Sequence, residues 1–372
     1  LSDGVRGLLD KAGVRVVEGN LSLSKPDEAV VSTPDGQANF LKFRDLVLAT
    51  GSRPIELPGF EINGDDILDS TGALNRETLP GAVAIIGGGY IGLEIGIALA
   101  KLGSAVTIVE ALEGVLPAMD RRIAKPVEKR LGELGVVLHA GSKATAFENG
   151  ELTVETAYGA EQIAADKVIV AVGRKPNSDD LGLDLARVSP DNHGLLPVGA
   201  DRRISDHIAA IGDITSGPAL AHKASAEATV AAEALCGRKV AFQPAAIPAV
   251  VFSDPEVASA GLTAADANAE GIEVKTTNFP LSASGRARTL NTANGFLQIV
   301  SAADGDIVLG VHIVGPHASD LIGEGVLAIE MGATLEDLAL SIHPHPTLSE
   351  QFLEAAHVGI GQPIHLAVLG KK

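Results

Sequence analysis

Near the C-terminus the chain reads His343-Pro344-His345-Pro346-Thr347-Leu348-Ser349-Glu350, an imidazole held between two prolines and followed by a carboxylate. Each proline fixes its own φ and pushes the residue before it toward extended backbone, so His345 sits on a stiffened loop. A carboxylate at Glu350 suits a ring N–H of His345 and leaves the other ring nitrogen to act as a base. Thr347-Leu348-Ser349-Glu350 also has the form of a capping box, which predicts a helix over Leu348 to Val358. Glu350 therefore has two claimants, and one glutamate does not easily serve both.

A second constellation is built of glycines. The apolar run Val83-Ala84-Ile85-Ile86 suits a strand buried on both faces, and it leads into Gly87-Gly88-Gly89-Tyr90-Ile91-Gly92 and on to Leu93 and Glu94. Ile91, Ile95, Leu99 and Leu102 recur at helical spacing, and Gly103 is placed to end that helix. A further strand, Ala105 to Val109, ends in Glu110. The chemistry is that of a dinucleotide. Gly87 permits the tight turn, Gly89 lets backbone N–H groups approach a pyrophosphate, and Gly92 lets helix and strand pack closely. The helix N-terminus supplies partial positive charge for the phosphates. Glu110 suits a ribose 2′-hydroxyl and repels a 2′-phosphate, which favours NAD over NADP.

These groups need a large scaffold, and the chain of 372 residues suggests two or three domains. A formal net charge of −18 argues against non-specific nucleic-acid binding. The longest nearly apolar run, Val83 to Ala100, contains Glu94 and a cluster of glycines, so it reads as buried strand, loop and helix rather than a membrane span. No signal peptide is visible. The single cysteine, Cys236, permits neither an internal disulfide nor a thiolate metal site, and reads as a small apolar filler late in a helix.

The chain also echoes itself. Asp45 to Pro54 resembles Asp166 to Pro176, each an apolar strand running into an Ala-x-Gly-x-basic-Pro type of ending around Gly51 and Gly173. The second copy has its glycine loop upstream and the first has none, so the first unit reads as incomplete. Further on, Ile208 to Ile211 is an apolar strand ending in Gly212-Asp213, ahead of a helix expected over His222 to Leu235. Asp213 suits a polyol hydroxyl. The backbone N–H groups of Ala219, Leu220, Ala221 and His222, at a helix start, suit an electron-rich ring that becomes anionic on reduction.

Taken in order, Thr50-Gly51-Ser52, Gly87 to Glu94, Ala171 to Arg174, Ile211 to Asp213, Ala219 to Lys223, Phe252 to Glu256 and His343 to Glu350 resemble the pyridine nucleotide-disulfide oxidoreductases over essentially the whole chain. The closest resemblance is to the flavoproteins that oxidise dihydrolipoamide in 2-oxoacid dehydrogenase complexes. The resemblance implies an α/β fold with two Rossmann-like dinucleotide-binding domains, the FAD domain incomplete, plus a C-terminal α+β dimerisation domain. The expected divisions are 1–75 for the FAD domain, 76–195 for the NAD domain, 196–248 for its return to the FAD domain, and 249–372 for the interface domain. Thr50, Gly51, Ser52, Asp213 and Ala219 to His222 would line FAD. Gly87, Gly88, Gly89, Tyr90, Ile91, Gly92, Leu93, Glu94, Glu110 and Gly173 would hold NAD. His345 would take a proton from a dithiol and Glu350 would orient it, reaching the active site of the other subunit of a homodimer. A cytoplasmic protein is expected, with the lipoyl domain of a 2-oxoacid complex as partner, and with no metal, nucleic acid or membrane.

The chain departs from that family in one respect. The family's redox-active Cys-x-x-x-x-Cys and its adenine-binding glycine loop are missing, as the unmatched first unit also indicates. The sequence is accordingly read as an N-terminally truncated member, expected to be inactive by itself and to retain FAD weakly or not at all. The other readings are a glutathione- or mercuric-reductase-like enzyme, a disulfide-free NADH:flavin oxidoreductase, and a nucleotide-binding or structural protein without activity.

Overall fold

The computed structural model describes residues 2–367, which divide into two compact units. One comprises the chain up to Arg53 together with Arg174–Gln243, and the other comprises Pro54–Gly173 together with Pro244 onward. This division falls elsewhere than the expected boundaries after residues 75 and 195. The reason is local: Arg174 and Asn177 bond to Ser52 and Thr50, which draws the segment after Gly173 into the first unit.

In the first unit the strands Asn20–Lys25, Glu28–Ser32 and Ala38–Lys42 form an antiparallel meander. Leu46–Leu48 pairs in parallel with Ile208–Ala210, whose other neighbour is Arg203–Ser205. The apolar residues that mark these strands in sequence, Leu48, Ile208 and Ala210, are buried with Leu196 and Ile214 in one core. The helix Ala221–Leu235 starts one residue before its expected position. Cys236 sits at its C-terminal cap and is exposed, so it is not the buried filler that its size and position suggested. The two echoing endings lie side by side, Ser52–Pro54 pairing with Arg174–Pro176.

The second unit carries a parallel sheet ordered Ile67–Leu68, Lys167–Val170, Ala82–Ile86, Ala105–Glu110, Val137–Ala140. Val83 to Ile86 and Val168 to Val170 are buried, as continuous apolar runs in a parallel sheet require. The helix Tyr90–Leu102 ends at Gly103, which adopts φ 110° and accommodates the left-handed cap. A small antiparallel sheet of Lys143–Glu148, Glu151–Thr156 and Gly159–Ala164 stands beside these strands.

The same unit holds an antiparallel sheet ordered Ala249–Val251, Val257–Gly261, Val308–Val314, Phe296–Ala302, Val274–Pro280. The strands near Val250, Phe296 and Val308 were legible as apolar runs, whereas Val257–Gly261 and Val274–Pro280 carry too many small or polar residues to stand out. One core joins this sheet to the helices Ala318–Glu330, Leu335–Leu340 and Glu350–Gly359 through Ala258, Leu297, Ile313, Ile322, Leu338 and Phe352. Val251, Val257 and Val314 instead join the core of the parallel-sheet part. Lys101 and Arg130 both reach Asp254 Oδ2, at 2.9 and 3.1 Å. No helix among the described residues is long and apolar enough to cross a membrane.

Candidate functional site

The glycine loop connects the strand Ala82–Ile86 to the helix Tyr90–Leu102 at the carboxyl ends of the parallel strands, where open α/β sheets bind their ligands. Gly87 has φ 111°, and a Cβ there would lie 2.4 Å from the carbonyl oxygen of Ala171. A Cβ on Gly92 would lie 2.1 Å from the carbonyl oxygen of Gly87, so only glycine lets the helix seat on the loop. Gly89, at the helix N-cap, has nothing within 4 Å of its Cβ position. The turn is therefore closed on its inner side and open at Gly89, the form of a cradle that a phosphate group fits.

Glu110 is 7% exposed, and its two oxygens accept the N–H groups of Gly88 and Leu112, each at 2.7 Å. The carboxylate at the strand end thus holds the glycine loop to the segment that follows the strand. Gly173, exposed with φ 130°, follows the neighbouring strand Lys167–Val170.

The other residues of the motif divide by burial. Tyr90 is exposed and Ile91 packs partly against the core. Leu93 is fully buried, and its N–H bonds to Gly89 O at 3.0 Å, so its side chain secures the helix to the sheet. Glu94 accepts the N–H of Phe252 at 2.9 Å, tying the helix to the chain that leaves the strand Ala249–Val251. Burial pushes its carboxyl above the usual carboxylate range, opposed by that backbone hydrogen bond.

The first unit gathers Thr50, Gly51, Ser52 and Asp213. Ser52 Oγ donates to Asp213 Oδ2 at 2.6 Å and accepts from Arg174 Nε at 2.7 Å. Thr50 Oγ1 donates to the carbonyl of Asn177 at 2.6 Å, and Asn177 Nδ2 returns a bond to the carbonyl of Thr50 at 2.9 Å. Gly51, between them, has φ 67° and open space at its Cβ position. Ala219, Ala221 and His222 are exposed and Leu220 is half-buried at the start of the helix Ala221–Leu235.

Beneath Asp213 lies a charged cluster that sequence reading did not find. Glu227 is fully buried and accepts from Gly212 N at 2.7 Å, Arg202 Nη1 at 2.7 Å and Thr215 Oγ1 at 3.2 Å. Lys223 Nζ, also buried, lies 3.2 Å from Glu227 and donates to the carbonyl of Gly212 at 3.1 Å. Lys223 and Glu227 stand four apart on one helix, and that spacing was the only available signal. Their arrangement fixes the Gly212-Asp213 turn, with one carboxylate offsetting two cations.

In the C-terminal region, His345 Nδ1 lies 2.7 Å from Glu350 Oε1, while Glu350 Oε2 accepts the N–H of Thr347 at 2.7 Å. The helix runs Glu350–Gly359, later than the expected start at Leu348, and Ser349 at its N-cap makes no side-chain capping bond. Thr347 Oγ1 bonds to the carbonyl of Pro344 and to Ser349 Oγ instead, so the capping box forms in its glutamate half only. A carboxylate accepts, so His345 Nδ1 carries a hydrogen, and in the neutral ring that leaves the lone pair on Nε2. The side chain is 73% exposed.

Residues 1–228 match the pyridine nucleotide-disulphide oxidoreductase family, and residues 247–356 match that family's dimerisation domain. The chain belongs to this family. It is 46% identical to a dihydrolipoyl dehydrogenase of Geobacillus stearothermophilus over 98% of the chain and 78% of that protein, and 43% identical to one of Halobacterium salinarum over 98% and 79%. Among solved structures it is similar to LpdA from Mycobacterium tuberculosis, with TM-score 0.88 and 27% identity over 96% of the chain and 80% of the other. The HOCl-induced flavoprotein disulfide reductase RclA of Escherichia coli gives TM-score 0.86 and 25% identity, covering 96% and 82%. The family's cofactors are FAD and NAD. Its dimerisation domain supports a homodimer for this chain.

Proposed function

We propose that this protein is an NAD-dependent flavoprotein that oxidises dihydrolipoamide, as the name dihydrolipoyl dehydrogenase describes for the relatives it is similar to. The observation that carries the reading is the His345–Glu350 pair: Nδ1 is held by a carboxylate at 2.7 Å and Nε2 is left as the acceptor. A dithiol reacts as its thiolate, and removing its proton is the step that an oriented imidazole supplies. His345 Nε2 takes that proton, and Glu350 holds the ring in one tautomer as it becomes charged.

The residue assignments follow the same reading. Gly87 to Gly92 and Glu110 hold the dinucleotide, with Gly89 facing the phosphates and Glu110 favouring NAD over a 2′-phosphorylated cofactor. Thr50 to Ser52, Asp213 and the first turn of the helix Ala221–Leu235 line the flavin. The thiolate would attack a redox disulfide, which this sequence with its single cysteine does not contain, and FAD and NAD, when bound, would take up the electron pair that the dithiol gives up. The roles of the FAD-binding, NAD-binding and interface segments, a cytoplasmic location and a lipoyl domain as substrate carrier belong to this proposal.

The test is dihydrolipoamide-dependent NADH formation by FAD-loaded protein that carries a redox cysteine pair. His345→Gln should lower turnover by roughly 10² to 10⁴ with NADH binding retained. Near-normal turnover by that variant overturns the assignment.

A further inference from the structure

A second imidazole stands two residues ahead of His345, and no step of the proposed chemistry uses it. The side chain of His343 is only 8% exposed, and both of its ring nitrogens face acceptors. Nδ1 lies 2.8 Å from the carbonyl oxygen of Ser341, and Nε2 lies 2.8 Å from Glu324 Oε1. A carbonyl can only accept, so Nδ1 carries a hydrogen and the contact at Nε2 is a proton held between ring and carboxylate. Glu324 belongs to the helix Ala318–Glu330, so this bond ties the loop after the helix Leu335–Leu340 to a rigid element of the core.

The loop has a second tie to the same helix. Leu348, past His345, is buried with Leu281 and Ala287, and Leu321 packs against that cluster. Leu321 and Glu324 are one helical turn apart, so one helix face grips the loop on both sides of His345. The two ties differ in kind. Leu348 offers apolar contact that tolerates rotation, whereas the His343 bonds fix a direction at each end of the ring. Between them His345 stays exposed with its Nδ1 on Glu350.

We propose that His343 and Glu324 are a positioning pair for His345, holding the loop so that Nδ1 stays on Glu350 and Nε2 faces the substrate. This inference rests on the reading of His345 as the base. Neither residue touches the reacting atoms. Their part is geometric, and displacement of a reacting group by about 1 Å is enough to cost about 10²-fold in rate.

The experiment is nitrogen NMR of the ¹⁵N-histidine-labelled protein at a pH where His345 is neutral, with its signals identified by their loss in His345→Gln. The unaltered protein should show the single Nδ1–H tautomer for His345. His343→Leu should give a mixture of tautomers while retaining a cooperative thermal transition. Should that variant not fold, Glu324→Leu makes the same test, because Glu324 is 33% exposed and leaves a smaller unfilled site. Glu324→Gln should restore the single tautomer, since a glutamine amide can donate to a neutral His343 Nε2. A single Nδ1–H tautomer in a folded leucine variant overturns the proposal, and a glutamine variant as mixed as the leucine one rejects the hydrogen bond as the tie. In the dihydrolipoamide assay the leucine variants should lose about 10- to 100-fold in kcat with KM little changed. Normal turnover by His345→Gln would remove the base assignment, whereas the tautomer readout bears on the positioning pair alone.

Discussion

Glu350 divides its carboxylate, giving Oε1 to the ring of His345 at 2.7 Å and Oε2 to the backbone N–H of Thr347, also at 2.7 Å. The orienting group of the proposed base and the first turn of the helix Glu350–Gly359 are thus one side chain. The base cannot move relative to the helix without breaking one of the two bonds.

Glu350→Gln tests this coupling. A glutamine keeps one oxygen and replaces the other with an amide that donates, so either Thr347 N–H meets another donor or His345 Nδ1 must accept, which moves the ring hydrogen to Nε2. Hydrogen bonds to a charged group contribute about 1.5–3 kcal/mol, which predicts roughly a 10- to 100-fold loss of turnover together with a small fall in Tm. Turnover and thermal unfolding measured on the same preparation check both parts.

Two glycines of the phosphate loop should separate folding from binding. In Gly92→Ala the new methyl meets the carbonyl oxygen of Gly87, and overpacking against backbone costs about 1–3 kcal/mol. Gly89→Ala places its methyl in open space, so Tm should hold while NADH affinity falls. Thermal melts paired with fluorescence titration of NADH distinguish the two outcomes.

Glu227→Leu should be the most destabilising single change of those considered. It strips Lys223 and Arg202 of their buried partner and leaves Gly212 N–H without an acceptor, and breaking a buried pair of this kind costs about 3–5 kcal/mol. Denaturant unfolding gives the number. The same variant should retain FAD less well than the parent, because the turn that carries Asp213 loses its support.

Acid should weaken the sheet of the C-terminal part through His312. This ring is fully buried, its Nδ1 2.7 Å from Ser259 Oγ and its Nε2 3.2 Å from the carbonyl of Leu262. Burial pushes its pKa below the ordinary 6.5, opposed by the Leu262 carbonyl and by the charges of Asp120 and Asp266. The folded value lies below the unfolded one, so the contribution to stability is present above about pH 6.5 and is lost as the pH falls through the folded value. The drop in Tm between pH 7.5 and 5.5 should therefore be smaller in His312→Gln than in the parent, and equal drops would refute the role.

Much of this protein was written in contiguous stretches. Val83 to Glu110 announces strand, glycine turn, helix, strand and acid because each element depends on neighbours within a few residues, and the glycines have no other use for that spacing. The echo of Asp45 to Pro54 in Asp166 to Pro176 was legible for the same reason, although only the fold shows that the two endings pair with each other. At Thr347 to Glu350 the sequence posed a choice between cap and catalytic partner, and geometry removed it because a carboxylate has two oxygens.

The remainder depended on residues distant in the chain. Arg202 meets Glu227, and Glu324 meets His343, across 25 and 19 positions. Glu110 turns back to hold Gly88 across 22. A charged or titratable side chain reads as solvent-exposed until the chain brings its counterpart to it, since burial without that partner would be too costly. By itself the sequence determined the local elements and the identity of the chemical groups. Tertiary structure alone decided which of those groups are paired and which, like Nε2 of His345, are left open.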